Sequence, residues 1–185
     1  MRIISGKYKG RPLVSFKADH IRPTMDRVKE TLFNKWMGYV DESKALDLFA
    51  GTGNLGLEAL SRGAKHVTFV EKNPKSVDII RKNIELLKVA KDEHMIIQKD
   101  VFSFIKSYQG EGFDIIFIDP PFTEKLADDV MTALASSQCF HQNTVIAIEA
   151  IKQEKIGTEY GDLICYDKQD YGDKSLSLFS KKALD

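Results

Sequence analysis

Short apolar runs alternate with amphipathic segments over most of the chain. In one such segment, Val77, Ile80 and Ile84 have the spacing of a single helical face. The apolar runs have the length and composition of buried strands. They lie at residues 45–50, 67–71, 95–97, 113–118 and 144–150. Strands that alternate with helices predict an α/β fold, with an open, mostly parallel sheet and helices on both faces.

The two ends of the chain depart from this alternation. Extended runs at 163–166 and 175–180 flank a turn and predict a closing hairpin, which brings the predicted sheet to seven strands. Residues 1–17 contain two short extended runs with glycines between them, so they predict an N-terminal β-hairpin, and a helix follows it. We therefore expect a basic extension at 1–40 and a core at 41–185, which together form one compact unit.

Charge is distributed unevenly, although the formal net charge is zero. The first 40 residues hold nine Lys or Arg and three Asp or Glu, so this part carries a net charge of +6. A basic patch of this kind is typical of a surface that binds phosphate or another anionic partner. The alternative interpretation is a solvated face without a partner.

Composition argues against several classes of protein. The length of 185 residues fits one domain. Two distant cysteines argue against a disulfide scaffold and favour a reducing cytoplasm. No apolar run approaches the roughly 18 residues of a membrane helix, and the histidines lack metal-ligand spacing. We therefore expect a cytoplasmic protein without a metal or a membrane. We also expect a monomer, because no long exposed apolar stripe is left over.

A glycine-rich turn joins the first predicted strand to the helix after it. Gly51, Gly53 and Gly56 have the spacing that allows a tight turn and a close approach of the backbone to a ligand. Glu71 ends the next strand, where a carboxylate can bind both hydroxyls of a ribose. The combination predicts an adenosine-type ligand, but it does not choose between a dinucleotide and S-adenosylmethionine.

Two further carboxylates favour S-adenosylmethionine. Asp47, in the end of the first strand, can reach a cationic amino acid moiety. Asp100, after the third strand, can bind the adenine amine, beside Val101. The chain is also too short for the separate substrate domain that many dehydrogenases carry. Each aspartate has an alternative role, Asp47 in capping the turn and Asp100 as a helix N-cap.

The segment Asp119-Pro120-Pro121-Phe122 follows the run 113–118 and places hydrogen-bond acceptors and a flat ring in one rigid turn. An exocyclic base amine is a poor nucleophile, because its lone pair is delocalised into the ring. The Asp119 carboxylate and the Pro120 carbonyl can accept its two N–H groups and stabilise the positive charge that develops on the nitrogen. Phe122 can stack on a base that is unpaired or flipped. The alternative is a turn that only ends a strand.

This turn resembles the (Asp/Asn/Ser)-Pro-Pro-aromatic signature of methyltransferases that act on exocyclic amino nitrogens. Nearly the whole chain is similar to the RsmD-like family of bacterial 16S ribosomal RNA guanine-N2 methyltransferases. Asn54 and Lys29 depart from the expected family pattern, away from the proposed chemistry. The other matching segments are Gly6 to Leu13, Arg22-Pro23-Thr24, Arg27 to Asn34, Asp47 to Gly53 and Tyr171-Gly172-Asp173.

The resemblance implies a Rossmann-like class I methyltransferase fold that uses S-adenosylmethionine to methylate the N2 amine of a guanine in 16S ribosomal RNA. It also implies that the basic extension folds over the site. The candidate catalytic residues are Asp119, Pro120 and Phe122. The candidate cofactor-binding residues are Asp47, Phe49, Gly51, Gly53, Gly56, Glu71, Lys72, Asp100, Val101 and Asp119. The candidate RNA-binding residues are Lys7, Tyr8, Lys9, Arg11 and Arg22.

Other activities fit the same residues. Adenine-N6 or cytosine-N4 methylation of DNA or RNA is an alternative, because all three bases offer an exocyclic amine to the turn at Asp119. The absence of a target-recognition domain argues against a sequence-specific DNA enzyme. A dehydrogenase and a non-enzymatic RNA-binding module are further alternatives. The intact glycine turn and the acids Glu71, Asp100 and Asp119 argue against the RNA-binding module.

Overall fold

The computed structural model describes residues 1–16, 23–122 and 124–183, without the side chains of residues 23–25. The described residues contain five helices and eight strands. The helices are α1 (Pro23–Lys35), α2 (Asn54–Ser61), α3 (Pro74–Leu87), α4 (Val101–Ser107) and α5 (Ala127–Ala135). The strands are β1 (Lys44–Leu48), β2 (His66–Glu71), β3 (His94–Gln98), β4 (Phe113–Ile118), β5 (Phe140–Ile151), β6 (Glu159–Tyr160), β7 (Leu163–Tyr171) and β8 (Lys174–Lys181).

The strands form one sheet in the order β3-β2-β1-β4-β5-β8-β7-β6. β1 to β5 are parallel, and β8 lies antiparallel between β5 and β7. The parallel part and the closing hairpin are as predicted. The predicted number of seven strands is wrong for the described residues, because β6 pairs with the start of β7 around Gly161. A strand of two residues is too short to show the period by which a sequence reveals a strand.

Helices cover both faces of the sheet, as the alternation predicts. On one face, Phe33 of α1, Leu60 of α2 and Ile80 of α3 belong to one buried cluster. On the other face, Phe104 of α4 and Met131 of α5 belong to a second cluster. The parallel strands all end at one edge, here named the carboxyl edge, and begin at the opposite amino edge. Within the described ranges, no helix is long and apolar enough to cross a membrane.

Residues 1–16, here named the N-terminal segment, run along α2 and turn back at its end. The Lys7 N–H donates to the Ser61 carbonyl at the end of α2, 2.7 Å away, which places the turn of the segment at the amino edge. The segment returns to the carboxyl edge, where Leu13 N–H donates to the Met1 carbonyl. The two predicted extended runs pair antiparallel through a bridge between Arg2 and Pro12 and a hydrogen bond from the Ile3 N–H to the Arg11 carbonyl, but these 16 residues form no regular strand.

A buried carboxylate on α2 attaches the N-terminal segment to the core. The Glu58 side chain has no solvent exposure and accepts the backbone N–H groups of Ile4 and Ser5 at 2.9 and 3.0 Å. It also forms ion pairs with Lys29 of α1 at 3.0 Å and with Arg62 at 2.8 Å. Burial lowers the pKa of the Lys29 ammonium, and the charge of Glu58 opposes this effect. Glu58 therefore joins α1, α2 and the segment.

We expect Glu58→Gln to destabilise the fold by about 3–5 kcal/mol, because it leaves Lys29 as a buried charge without a carboxylate partner. Equilibrium urea unfolding, followed by circular dichroism, measures the free energy of unfolding. Asp78→Asn is the matched control, since Asp78 pairs with Arg81 on an exposed face of α3 and should contribute less than about 1 kcal/mol. Equal free energies for the two variants would contradict the role given to Glu58.

Candidate active site

The turn after β1 places strained backbone at the carboxyl edge. Phe49, Gly51 and Gly53 have φ values of 59°, 56° and 81°, in the left-handed region. This region suits glycine but is strained for phenylalanine, and such strain is concentrated at functional sites. Gly53 is the N-cap of α2, so the turn passes directly into that helix. The predicted strand, glycine turn and helix are present.

Asp47 connects this turn to β1. Its side chain is 2% exposed, and its Oδ2 accepts the Gly56 N–H at 2.9 Å. Burial raises the pKa of Asp47 well above the usual value, and the charges of Asp119 and Glu71 raise it further, while the bond from Gly56 lowers it. The capping role considered from the sequence is therefore present. Contact between Asp47 and a ligand stays a prediction.

Gly56 allows α2 to pack closely on β2. A Cβ atom at this position would lie 2.3 Å from Cε1 of Phe69 and 2.8 Å from Cγ1 of Val67. Both distances are shorter than van der Waals contact, so only glycine fits unless the helix moves. Gly56 therefore acts through packing, as the third glycine of such a turn does.

Glu71 ends β2 and holds the turn from the other side. Its Oε2 accepts the Gly51 N–H and its Oε1 accepts the Asn73 N–H, both at 2.8 Å. Lys72, the next residue, is exposed and pairs with Glu124 at 3.5 Å. The carboxylate thus lies beside the glycine turn, where the sequence predicts a ribose.

A cavity of about 220 Å³ lies between the glycine turn and the end of β4. It brings together four of the predicted site residues: Asp47, Phe49, Gly51 and Asp119. The remaining lining residues are Met1, Phe16, Ala50, Thr52, Asn54 and Leu55. One part of the wall is therefore polar and another is apolar, which suits a ligand with a cationic part and an apolar part.

Six predicted cofactor residues lie outside this lining: Gly53, Gly56, Glu71, Lys72, Asp100 and Val101. Asp100 is exposed, and its Oδ1 accepts the Ser103 N–H at 3.0 Å, so it is the N-cap of α4. Val101 is buried in the second cluster, against the sheet. The capping alternative for Asp100 is present, and the adenine contacts of both residues stay predictions.

Asp119 follows β4 and is the acid of the Asp-Pro-Pro-Phe turn, and its pKa is raised. Burial, and then the negative charge of Glu149, raise its pKa to about 7, while the positive charge of Lys174 lowers it. The Lys174 ammonium lies 3.8 Å from the centre of the Phe122 ring. The turn therefore presents a carboxylate that titrates near neutral pH, a buried Pro120 and a half-buried ring.

Four of the five predicted RNA-binding residues, Lys7, Tyr8, Lys9 and Arg11, lie away from this turn. The Lys7 ammonium pairs with Glu93, just before β3, at 2.5 Å, and the Tyr8 N–H donates to the Ser61 hydroxyl at 2.9 Å. Lys7 and Tyr8 are thus at the amino edge, whereas Asp119 is at the carboxyl edge. Lys9 and Arg11 are exposed near the same turn of the segment, and Arg22 lies outside the described residues. The RNA contacts of all five residues stay predictions.

Sequence reasoning missed four residues that belong to the site. Met1 and Phe16 line the cavity because both ends of the N-terminal segment return to the carboxyl edge. Glu149 and Lys174 form an ion pair beside Asp119. Glu149 is an acid within the apolar run at 144–150, and this signal could have identified it. Lys174 had no local signal, because it depends on the pairing of β8 with β5.

Comparisons with known proteins place the chain in a family. The family model described as "Conserved hypothetical protein 95" matches residues 1–180. "Ribosomal RNA small subunit methyltransferase D" of Haemophilus influenzae is 40% identical over 159 residues, which cover 85% of this chain and 82% of the relative. The protein with the same name in Escherichia coli is 31% identical over 183 residues, which cover 99% and 91%. The solved structure of "Putative methyltransferase yhhF from Escherichia coli" has a TM-score of 0.87 at 31% identity, and the match covers 100% and 99%.

Replacing Gly56 by alanine tests the packing of α2. We expect Gly56→Ala to lower the free energy of unfolding by about 1–3 kcal/mol, because the new methyl group overlaps Phe69 and Val67. Thermal and urea unfolding measure this loss. The control is Gly38→Ala, where nothing lies within 4 Å of the added atom and the change should be within about 1 kcal/mol. A neutral Gly56→Ala would show that α2 can move without cost.

The pH dependence of stability tests the state of Asp119. Its pKa is about 7 in the folded protein, against an ordinary 3.8. Between these values the folded state keeps a proton that the unfolded chain has lost, so this group costs stability as pH rises. Asp119→Asn removes that cost. We expect the variant to gain on the order of 1 kcal/mol or more over the wild type at pH 8 and much less at pH 4, in urea unfolding. The same gain at both pH values would contradict the raised pKa.

Proposed function

The chain belongs to the Conserved hypothetical protein 95 family, and from this premise we propose that it is an S-adenosylmethionine-dependent methyltransferase of small-subunit ribosomal RNA that methylates the N2 amine of a guanine. The observation that carries the proposal is the position of Asp119, which lines the same cavity as Asp47 and Gly51. One cavity thus offers candidate binding groups for both the methyl donor and the methyl acceptor.

The cavity wall suits S-adenosylmethionine. Asp47 and Asp119 provide negative charge for the cationic part of this molecule, and Phe16 and Leu55 provide apolar surface. Glu71, which already accepts the Gly51 N–H, has oxygen atoms beside the turn for ribose hydroxyls. When bound, S-adenosylmethionine supplies a methyl group on a sulfonium, which an amine can attack.

Asp119 and Pro120 prepare the acceptor amine. The carboxylate and the carbonyl accept its N–H groups, orient its lone pair and stabilise the positive charge that develops as the new bond forms. The fixed backbone at the two prolines sets these acceptors in place before the base arrives. Methyl transfer leaves one proton too many on the nitrogen, and the Asp119 carboxylate, with a pKa of about 7, can accept it at neutral pH.

The base must leave its helix to reach this cavity. A paired guanine uses one N–H of its N2 amine in the base pair and stays stacked between its neighbours, so it has to be unpaired or flipped. Phe122, half-buried beside Asp119, offers a ring on which the flipped base can stack. The exposed Lys9 and Arg11 of the N-terminal segment can hold RNA phosphates, which position a substrate without reading its sequence.

We propose that the protein acts as a cytoplasmic monomer with an N-terminal part at 1–40 and a cofactor-binding core at 41–185. Large exposed apolar side chains of the described residues, such as Met37, Leu86 and Met95, lie in the turn after α1, on α3 and on β3. Scattered residues of this kind do not require a partner.

Replacing Asp119 tests the proposed chemistry. We expect Asp119→Ala to lower kcat by a factor of about 100 or more, because the amine loses a charged acceptor, while S-adenosylmethionine still binds. Methylation of small-subunit RNA from a strain that lacks the gene measures activity, and calorimetry measures cofactor binding. Asp129→Ala, at an exposed position of α5, is the control and should keep wild-type activity.

Nucleoside mass spectrometry of the product identifies the methylated atom. We expect N2-methylguanosine from the wild-type protein and, in the same reaction time, at least about 100-fold less from Asp119→Ala. N6-methyladenosine or N4-methylcytidine in the product would replace the guanine assignment with one of the other exocyclic amines. Full activity of Asp119→Ala would overturn the role of the Asp-Pro-Pro-Phe turn.

A further inference from the structure

An ion pair between Glu149 and Lys174 lies next to the proposed acceptor turn. β4 and β5 are parallel neighbours in which Ile118 pairs with Ile148, so Asp119 and Glu149 follow at adjacent positions. Neighbouring strands are about 4.8 Å apart, which is a suitable distance for two carboxylates that bind adjacent groups on one base. A small cavity of about 40 Å³ is lined by both Asp119 and Glu149.

Lys174 begins β8 and lies beside Glu149 and Phe122. Its ammonium pairs with Oε1 of Glu149 and lies 3.8 Å from the centre of the Phe122 ring. The two side chains of the pair are 21% and 23% exposed, whereas those of the ion pair between Glu159 and Lys182 are 58% and 43% exposed. A largely buried ion pair costs desolvation and is weak evidence for a stabilising role. A pair that contacts the proposed stacking ring therefore suggests a role in binding.

The edge of guanine differs from that of other bases in the order of its hydrogen-bonding groups. Next to its N2 amine it carries an N1–H donor and then the O6 acceptor. Adenine and cytosine carry an acceptor nitrogen next to their amine, which would face a carboxylate without a proton between them. Enzymes that flip a base read this edge by hydrogen bonds. Two acceptors followed by one donor are thus the complement of guanine.

We propose that Glu149 and Lys174 select guanine, with the Glu149 carboxylate accepting the N1–H and the Lys174 ammonium donating to O6, while Asp119 holds the N2 amine. This assignment rests on the proposed function. The Lys174 ammonium lies over one face of the Phe122 ring, so a base that stacks on this face moves the ammonium to its edge, where it can donate to O6. The pair between Glu149 and Lys174 orients both groups before the base arrives.

Lys174 has a second effect on the same site. Its positive charge opposes the effect of Glu149 on Asp119, whose pKa the glutamate raises. The Lys174 ammonium thus partly offsets the rise in the pKa of Asp119 that the Glu149 carboxylate causes. The ion pair is therefore suited to its place next to an acid that must accept a hydrogen bond.

A change of base at the target position tests the assignment. The substrate is a short RNA that carries guanosine or 2-aminopurine ribonucleoside at the methylated position. 2-Aminopurine keeps the amine at C2, has an acceptor at N1 and lacks O6. We expect the wild-type protein to prefer guanosine by at least about 100-fold in kcat/KM, because 2-aminopurine leaves Glu149 and Lys174 unpaired.

Two variants separate the two contacts. The amide of Glu149→Gln can donate to the N1 acceptor, so we expect the preference for guanosine to fall by about 10-fold or more. Lys174→Met removes the donor to O6, so we expect kcat/KM for guanosine to fall by about 10-fold or more and that for 2-aminopurine to change less. Glu159→Gln, in the exposed ion pair on β6, is the control and should keep the wild-type preference.

The outcomes distinguish this assignment from the proposed function. If the wild-type protein forms N2-methylguanosine but Glu149→Gln keeps the full preference for guanosine, the selection by Glu149 is wrong and the function stands. If both variants lose activity equally on the two substrates while S-adenosylmethionine still binds in calorimetry, the pair is structural and the proposal is overturned. If the wild-type protein methylates adenine or cytosine instead, the guanine assignment of the proposed function is wrong, and the selection of guanine by Glu149 and Lys174 is wrong with it.

Discussion

The buried carboxylate of Glu58 is the interaction on which the position of the N-terminal segment depends. It accepts two backbone N–H groups of this segment and pairs with Lys29 of α1. The N-terminal segment, α1 and α2 therefore meet at one carboxylate. Since both ends of the segment return to the carboxyl edge, Met1 and Phe16 become part of the cavity wall. A contact on the middle of α2 therefore determines the shape of a site at the start of that helix.

Acidic side chains at the carboxyl edge have opposing effects on stability and function. Asp47, Glu71, Asp119 and Glu149 lie at or near the carboxyl ends of neighbouring strands, and burial and mutual repulsion raise the pKa values of Asp47 and Asp119. Such an arrangement is unfavourable for folding, because charged groups lose water and repel one another. The same arrangement is favourable for binding a cationic cofactor and a base amine. The cofactor brings positive charge and the amine brings hydrogen-bond donors, and both stabilise the carboxylates.

Much of the architecture follows from the sequence, because strands, helices and glycine turns have local signatures. The turn from Gly51 to Gly56 and the acids Asp47 and Glu71 lie together as their positions at strand ends imply. The path of the N-terminal segment has no such signature, since it depends on Glu58, which looks like an ordinary helical glutamate. The position of Lys174 likewise depends on pairing between distant strands.

The order of the strands has a consequence for the order of folding. β8, the last strand in the described part of the chain, lies between β5 and β7, so β7 joins the sheet only through β8. β5 and β8 pair although β6 and β7 lie between them along the chain. Contacts between such distant segments form slowly, because a long loop must close first. The groups around Asp119 are therefore assembled only when the closing hairpin inserts. On a ribosome that is still synthesising this protein, the chain would remain without a complete catalytic centre until its final strands had emerged and docked.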